Sequence, residues 1–318
     1  ITAPHRRVAD ATADLRELAL AVQRTAERRG AALIGSGSHP FSHWIDQRAT
    51  QSERYDRFME RYRWWGRNML IWGVHVHVGI DRRERVVPIM NALLTYLPHL
   101  LALSASSPLW AREATGYASN RTLMFQQLPT AGLPWPMEDW ADFERVLEDL
   151  ARTGIIAEPT EARWDIRPAP RWGTIEVRAC DGASTLAEIG ALAALTQCLA
   201  EELSERADRG ETLPRLQPWY VRENKWRAAR YGLDARVIVD PEGRQQPLRD
   251  ELAALAERLR PVAERLDCTA ELAEVLAILQ RGNSAERQIA VYEARGGDER
   301  ALTAVVDALV EEFRAGLA

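Results

Sequence analysis

Apolar and polar side chains alternate strictly from Trp72 to Ile80, so Val74, Val76 and Val78 share one face of a strand and His75 and His77 share the other. Gly73 and Gly79 stand at its ends. A surface strand would carry Thr, Lys or Glu where these histidines lie. The pattern describes either the floor of a site or a half-buried strand whose histidines are simply hydrogen-bonded. The same period of two returns in Trp164–Pro168 and in Gly173–Asp181, and the short gap between them predicts a hairpin. On its second strand Glu176 and Arg178 share one face, with Ile175, Val177 and Ala179 on the other. Asp165 and Arg167 are co-facial on the first strand. An apolar face opposite an ionised one suits a charged ligand, although salt-bridged surface strands read the same way.

Elsewhere the period is helical. Arg6 to Arg29 carries a broad apolar stripe and is stopped by Gly30. Ala31 to Gly35 reads as a short strand, and Gly35 to Phe41 (G-S-G-S-H-P-F) as a turn-rich loop. Gln51 to Leu70 is a second helix feeding directly into the histidine strand. Asp81 is a fitting N-cap, and Val86 to Leu103 reads as an apolar helix broken near Pro98. A long polar segment rich in Ser, Gly and aromatics follows, closed by Pro134, Trp135 and Pro136; such segments carry function or form mobile connections. Met137 to Arg152 is amphipathic, and a long helix runs from Ser184 or Thr185 to about Ala207. Arg222 to Gly232 is a basic helix with Glu223, Arg227 and Arg230 on one side, and Asp234 to Asp240 reads as extended. Residues about 248–317 are helix after helix, broken near Pro261, Asp267, Gly282 and Gly296-Gly297. No repeat or linker divides the chain, which reads as one domain over 1–318 with a helical C-terminal portion.

Composition narrows the chemistry. Of 318 residues, 46% are apolar and 27% charged, which is ordinary for a globular protein with a sizeable core. A net charge of −5 gives no basic field for nucleic acid. No apolar run nears the roughly 20 residues of a membrane helix. Three widely spaced cysteines form neither a disulfide framework nor a zinc pattern, so a cytoplasmic location is expected. Lys225 is the only lysine, which excludes a Walker A loop and leaves phosphate chemistry to arginines and metal. The chain opens at Ile1 just before a helix and reads as one whose beginning is missing.

Two co-facial histidines, a Glu/Arg pair and an Asp/Arg strand suit a divalent metal and a phosphate together, hence phosphoryl transfer. Zinc hydrolysis fits less well, because no H-E-x-x-H occurs. Ser106 and Ser119 lack a nucleophile elbow.

Five ordered motifs, W-G-V-H-V-H-V-G-I, L-S-A-S-S-P-L-W, T-G-Y-A-S-N-R, G-T-I-E-V-R-A-C-D and R-E-N-K-W-R-A-A-R-Y-G, resemble the type-2 glutamate–cysteine ligase family of bacterial carboxylate–amine ligases. The G-S-G-S-H-P-F loop and R-G-N-S-A-E-R-Q near Gly282 fit as well, so the resemblance covers essentially the whole chain. It implies an α+β, glutamine-synthetase-like catalytic fold, a curved and mainly antiparallel sheet with helices packed on one face. It also implies chemistry dependent on ATP and Mg²⁺: the γ-carboxylate of glutamate is phosphorylated, and an amine such as cysteine attacks the acyl phosphate. By the same resemblance Glu176 and His75 would hold metal, with His77 beside them. Arg178 would contact the transferring phosphate, and Arg167 nucleotide or substrate phosphate. Ser119, Asn120 and Arg121 would lie on the glutamate or acceptor side, and Arg227 and Arg230 would contact anions. Homodimerisation is a family-level expectation.

Two departures stand out. The family's opening G-x-E-E-E strand, whose glutamates bind metal, is not in this sequence, and Ala114 stands where relatives usually carry Asp, which bears on acceptor choice. Two rivals remain: a catalytically impaired pseudoenzyme or binding protein of the same fold, and a histidine-based metal hydrolase active without ATP.

Overall fold

The computed structural model describes residues 1–48 and 50–317. Its helices in order are α1 (Val8–Glu27), α2 (Glu53–Arg67), α3 (Arg83–Thr95), α4 (Leu97–Ser104), α5 (Asn120–Phe125) and α6 (Trp140–Arg152). They continue as α7 (Leu186–Asp208), α8 (Pro218–Tyr231), α9 (Leu248–Leu266), α10 (Thr269–Arg281), α11 (Ser284–Ala294) and α12 (Glu299–Ala315). The strands are β1 (Val76–Gly79), β2 (Leu109–Trp110), β3 (Glu113–Ala114), β4 (Ala131–Gly132), β5 (Arg163–Trp164), β6 (Ile166–Ala169), β7 (Thr174–Val177), β8 (Arg236–Ile238) and β9 (Gln245–Pro247).

An antiparallel sheet of order β1-β7-β6 carries the candidate chemistry. Its back is apolar, as the alternation predicts: Ile166, Ile175 and Val177 are fully buried, and Val74 and Val76 pack against the same core. Helices α3 and α7 form the layer behind it. α7 can run through the interior because its apolar positions, from Leu192 to Leu203, are separated by Ala and Cys small enough for close helix packing. Thr185 and Glu188 start it with a reciprocal capping box. Asp139 caps α6 and Asn283 caps α11 through the same side chain-to-backbone bond.

Several boundaries differ from expectation, each for a physical reason. Ala31 to Gly35 forms no strand; Gly35 is pressed against the backbone of Ala183, where a Cβ would collide, and no ladder partner lies alongside. The apolar helix breaks at Tyr96, and Pro98 sits in the first turn of α4, where its missing N–H costs nothing. Pro261 lies inside α9 without ending it, because Leu259, Val262 and Ala263 around it are buried and packing outweighs the lost bond. α5 begins inside the long polar segment, where no helical period announces it. Among the described residues no single helix is long and apolar enough to cross a membrane; the bent pair α3 and α4 passes by length and composition only, and both lie in the core.

Candidate functional site

Strand register brings the predicted residues together. On β7, Glu176 lies opposite His77 of β1 on one side and Arg167 of β6 on the other. Its carboxylate is the centre of the face. Oε2 accepts from Arg167 Nε at 2.7 Å, and Oε1 accepts from Arg178 at 2.5 Å. His75 Nδ1 stands 3.3 Å and His77 Nε2 3.6 Å from Oε1. Arg178 also meets His75 Nδ1 at 3.3 Å. Arg167 is tied by a second nitrogen to the carbonyls of Thr160 and Ala162.

The charges are unevenly shielded. The Glu176 side chain is 4% exposed, those of Arg167 and Arg178 13%, and the imidazoles 37%. Burial alone would raise the Glu176 carboxyl, but the imidazoles of His75 and His77 and the guanidinia of Arg178 and Arg167 outweigh it and hold it far below the usual carboxylate range. Burial lowers Arg178 to about 10, against the opposing pull of Glu176. It also lowers His75, so that this imidazole is neutral near pH 7.

A third arginine extends the face. Gly73, two residues before His75, lies on the same side of the strand. A Cβ there would come within 2.6 Å of Arg121 Cζ, so the absent side chain is the seat of that guanidinium. Arg121 is 4% exposed and donates to the carbonyls of Arg178 and Ala179 at 3.2 and 3.3 Å. The Nε atoms of Arg121 and Arg178 are both buried without a partner. Three guanidinia therefore meet here: Arg167 and Arg178 share the central carboxylate, and Arg121 faces Asp181 at 3.7 Å.

Beneath it, Asp165 and Lys225 form a buried ion pair at 2.6 Å. Asp165 therefore does not join Arg167 in facing a ligand. Its backbone carbonyl accepts from Arg178 N at 2.8 Å, which links α8 to the strand bearing the site.

Other expected contacts are placed differently. Ser119 is fully buried, caps α5 and donates to Asp181 at 2.8 Å. Asn120 uses its backbone N–H on the Ser107 carbonyl and is half-buried. Arg227 pairs with Glu223 and reaches Arg236 O and Gln245. Arg230 stacks on Tyr117 and Tyr231 and donates to Gly116 O. None of these four has a bond to the Glu176 cluster; their partners lie in loops, on α8 itself and in β8 and β9. The R-G-N-S-A-E-R-Q segment is architectural as well, since Asn283 and Gln288 bind the carbonyls of Ala102 and Ser106. Ala114 is exposed in the short β2–β3 hairpin.

Sequence reasoning did not single out Asp181, Gly73 or the Lys225 pairing. A lone lysine among arginines was the available signal for the last, and a glycine two residues before the first histidine for the second.

The metal expectation does not fit these residues. Among the described residues no group of three or more His, Cys, Asp and Glu side chains is placed to hold a metal ion. Mg²⁺ prefers oxygen ligands, and the one carboxylate of the face has both oxygens engaged by arginine. As placed here, Glu176 is a counter-ion to Arg167 and Arg178, and His75 is its neighbour.

The sequence profile of glutamate–cysteine ligase family 2 matches residues 1–304. The chain belongs to that family. A relative in Leifsonia xyli named as a candidate glutamate–cysteine ligase 2 is 58% identical over 313 residues, covering 98% of this chain and 82% of its own length. One from Clavibacter michiganensis with the same name is 55% identical over 318 residues, covering all of this chain and 82% of its own. Among solved structures, a bifunctional glutathione synthetase from Pasteurella multocida superimposes with a TM-score of 0.66 at 14% identity, over 99% of this chain and 46% of that enzyme. This chain thus spans under half of that enzyme's length. A glutamate–cysteine ligase from Francisella tularensis, solved with AMP, gives 0.60 at 15% identity, over 90% and 74%. At such identities these likenesses show the fold, and the expected α+β, glutamine-synthetase-like class stands. For this family-2 chain the five motifs fall on the site strand, its neighbour, the serine loop, the α5 cap and α8.

Proposed function

We propose that this chain is an ATP-dependent carboxylate–amine ligase that couples the γ-carboxylate of glutamate to a small amine, with cysteine the leading candidate. The observation that carries the reading is the sharing of one carboxylate, Glu176, between Arg167 and Arg178, with Arg121 beside them. Such a face is short of negative charge, and guanidinia match phosphate oxygens in two-pronged geometry. Family membership supports the reaction class, and the cationic face supports phosphate binding there.

ATP's γ-phosphoryl passes to a carboxylate oxygen of glutamate, and ADP leaves. The amine nitrogen then attacks the acyl carbon, the C–O bond to phosphate breaks, and the amine sheds a proton. Arg178 and Arg167 hold the phosphate and offset charge on the transferring group. His75, neutral and partly open beside Arg178, is the base positioned to take the amine's proton. Mg²⁺ is expected from the resemblance and would accompany the nucleotide's phosphates; no step is assigned to it, because the residues present make no cage for it.

The test is isotopic. Glutamate labelled with ¹⁸O in its γ-carboxylate is incubated with ATP, Mg²⁺ and an amine, and the released phosphate is weighed. One ¹⁸O per phosphate is expected from an acyl phosphate. Unlabelled phosphate from a reaction that consumes glutamate would overturn the mechanism.

A further inference from the structure

Asp181 is the most heavily bonded carboxylate near the site and lies outside the cationic face. It is 1% exposed. Oδ2 accepts from Ser107 Oγ at 2.7 Å and Ser106 N at 3.0 Å; Oδ1 accepts from Ser119 Oγ at 2.8 Å and faces Arg121 at 3.7 Å. A neutral amide could still accept from Ser106 and Ser107 at its oxygen, and its NH2 would face Ser119, whose hydroxyl can turn to Thr122. Only the Arg121 guanidinium calls for a charge.

We propose that Asp181 is a positioning residue of the ligase, acting through Arg121 to fix the end of the face that carries Arg178 and His75. This rests on the ligase reading above. Arg121 reaches the Arg178 carbonyl, so it braces the backbone where that side chain leaves the strand. It sits over Gly73, and Gly73 bridges Asp181 across the sheet end two residues before His75. The knot has little slack. A Cβ at Gly37 would fall 2.8 Å from Asp181 Oδ2, and one at Gly182 would strike the Ser36 backbone. Any shift of the carboxylate is thus passed to Arg121, and from there to Arg178. Burial raises the Asp181 carboxyl, while Arg121 and the serine donors work to keep it ionised.

The test is a double-mutant cycle on the full-length enzyme, read as kcat and the KM for ATP from ADP release, with Tm as the fold control. Asp181→Asn keeps the shape, removes the charge and turns one acceptor oxygen into a donor. Arg121→Met removes the group it holds. Each is expected to lower kcat about tenfold or more, with the KM for ATP within a few-fold of wild type. The double variant should be no worse than Arg121→Met alone, because one change acts through the other. Gly73→Ala keeps the Asp181 side chain and displaces the same guanidinium, while also pressing on the Cys180 carbonyl, so it should reproduce the kcat loss even where Asp181→Asn does not fold. A wild-type kcat in Asp181→Asn or in Gly73→Ala, or losses that multiply in the double variant, would overturn the positioning role and leave the ligase reading standing. A wild-type enzyme that releases no ADP with any substrate pair overturns both.

Discussion

Replacing Glu176 by Gln separates two roles for this carboxylate that sequence alone cannot tell apart. The side chain is 4% exposed and the arginines it holds are 13% exposed. Removing its charge leaves two largely buried guanidinia facing each other across an amide. Breaking a buried pair from one side costs about 3–5 kcal/mol. For a chain of this size that is a fall in Tm on the order of 10 °C. The loss should be partly recoverable, because an added anion can take the vacated place between Arg167 and Arg178. In a thermal-shift assay with ATP or inorganic tripolyphosphate and no metal, the stabilisation should therefore be larger in Glu176→Gln than in wild type. Turnover should fall at least tenfold, since the arginines lose their fixed orientation. An equal or smaller anion-induced shift in the variant would refute the reasoning, because it would mean that Glu176 and phosphate do not compete for the same guanidinia.

Three further outcomes are expected. His99 is buried in α4, its Nδ1 lacks a partner, and burial lowers its pKa to about 4. Its unfolded value is higher, so the unfolded state binds the extra proton and stability falls as pH drops from about 6.5 to 4, by about 3 kcal/mol in all. Denaturant titrations across that range should show the slope, and His99→Phe should flatten it; an unchanged slope would count against the assignment. Lys225→Met should cost about 3–5 kcal/mol by stranding Asp165, and Asp165→Asn in the same chain should restore most of it, as read by urea midpoints. An unrestored double variant would show that more than the charge is at stake. The buried Cys180 thiol is pushed up to about 12 by burial, so it should resist alkylation in the native protein and react once urea unfolds it; mass spectrometry of the labelled chain reads this directly, and fast native labelling would contradict it.

Strand parity made much of the site legible. Val74 and Val76 point to the core, and His75, His77, Glu176 and Arg178 share a face because alternation leaves them no other arrangement. What parity cannot show is which charges neutralise each other. Asp165 and Arg167 sit two residues apart, yet Asp165 turns to Lys225, 60 residues along the chain, and Arg167 to Glu176. The burial of Glu176 between two arginines is likewise a tertiary fact that parity cannot show. The burial of Ser119 and Arg121 as cap and brace comes from loops meeting at Asp181. Short irregular contacts between distant loops leave no period to read. Conversely, Pro261 has a strong local signal that packing overrides.

The most direct measurement is ADP release by the full-length protein supplied with ATP, Mg²⁺, glutamate and a panel of amines led by cysteine. The account predicts release that requires both glutamate and one of the amines, and that is lost in Arg178→Met. Release in none of the combinations, or undiminished release from Arg178→Met, would contradict it.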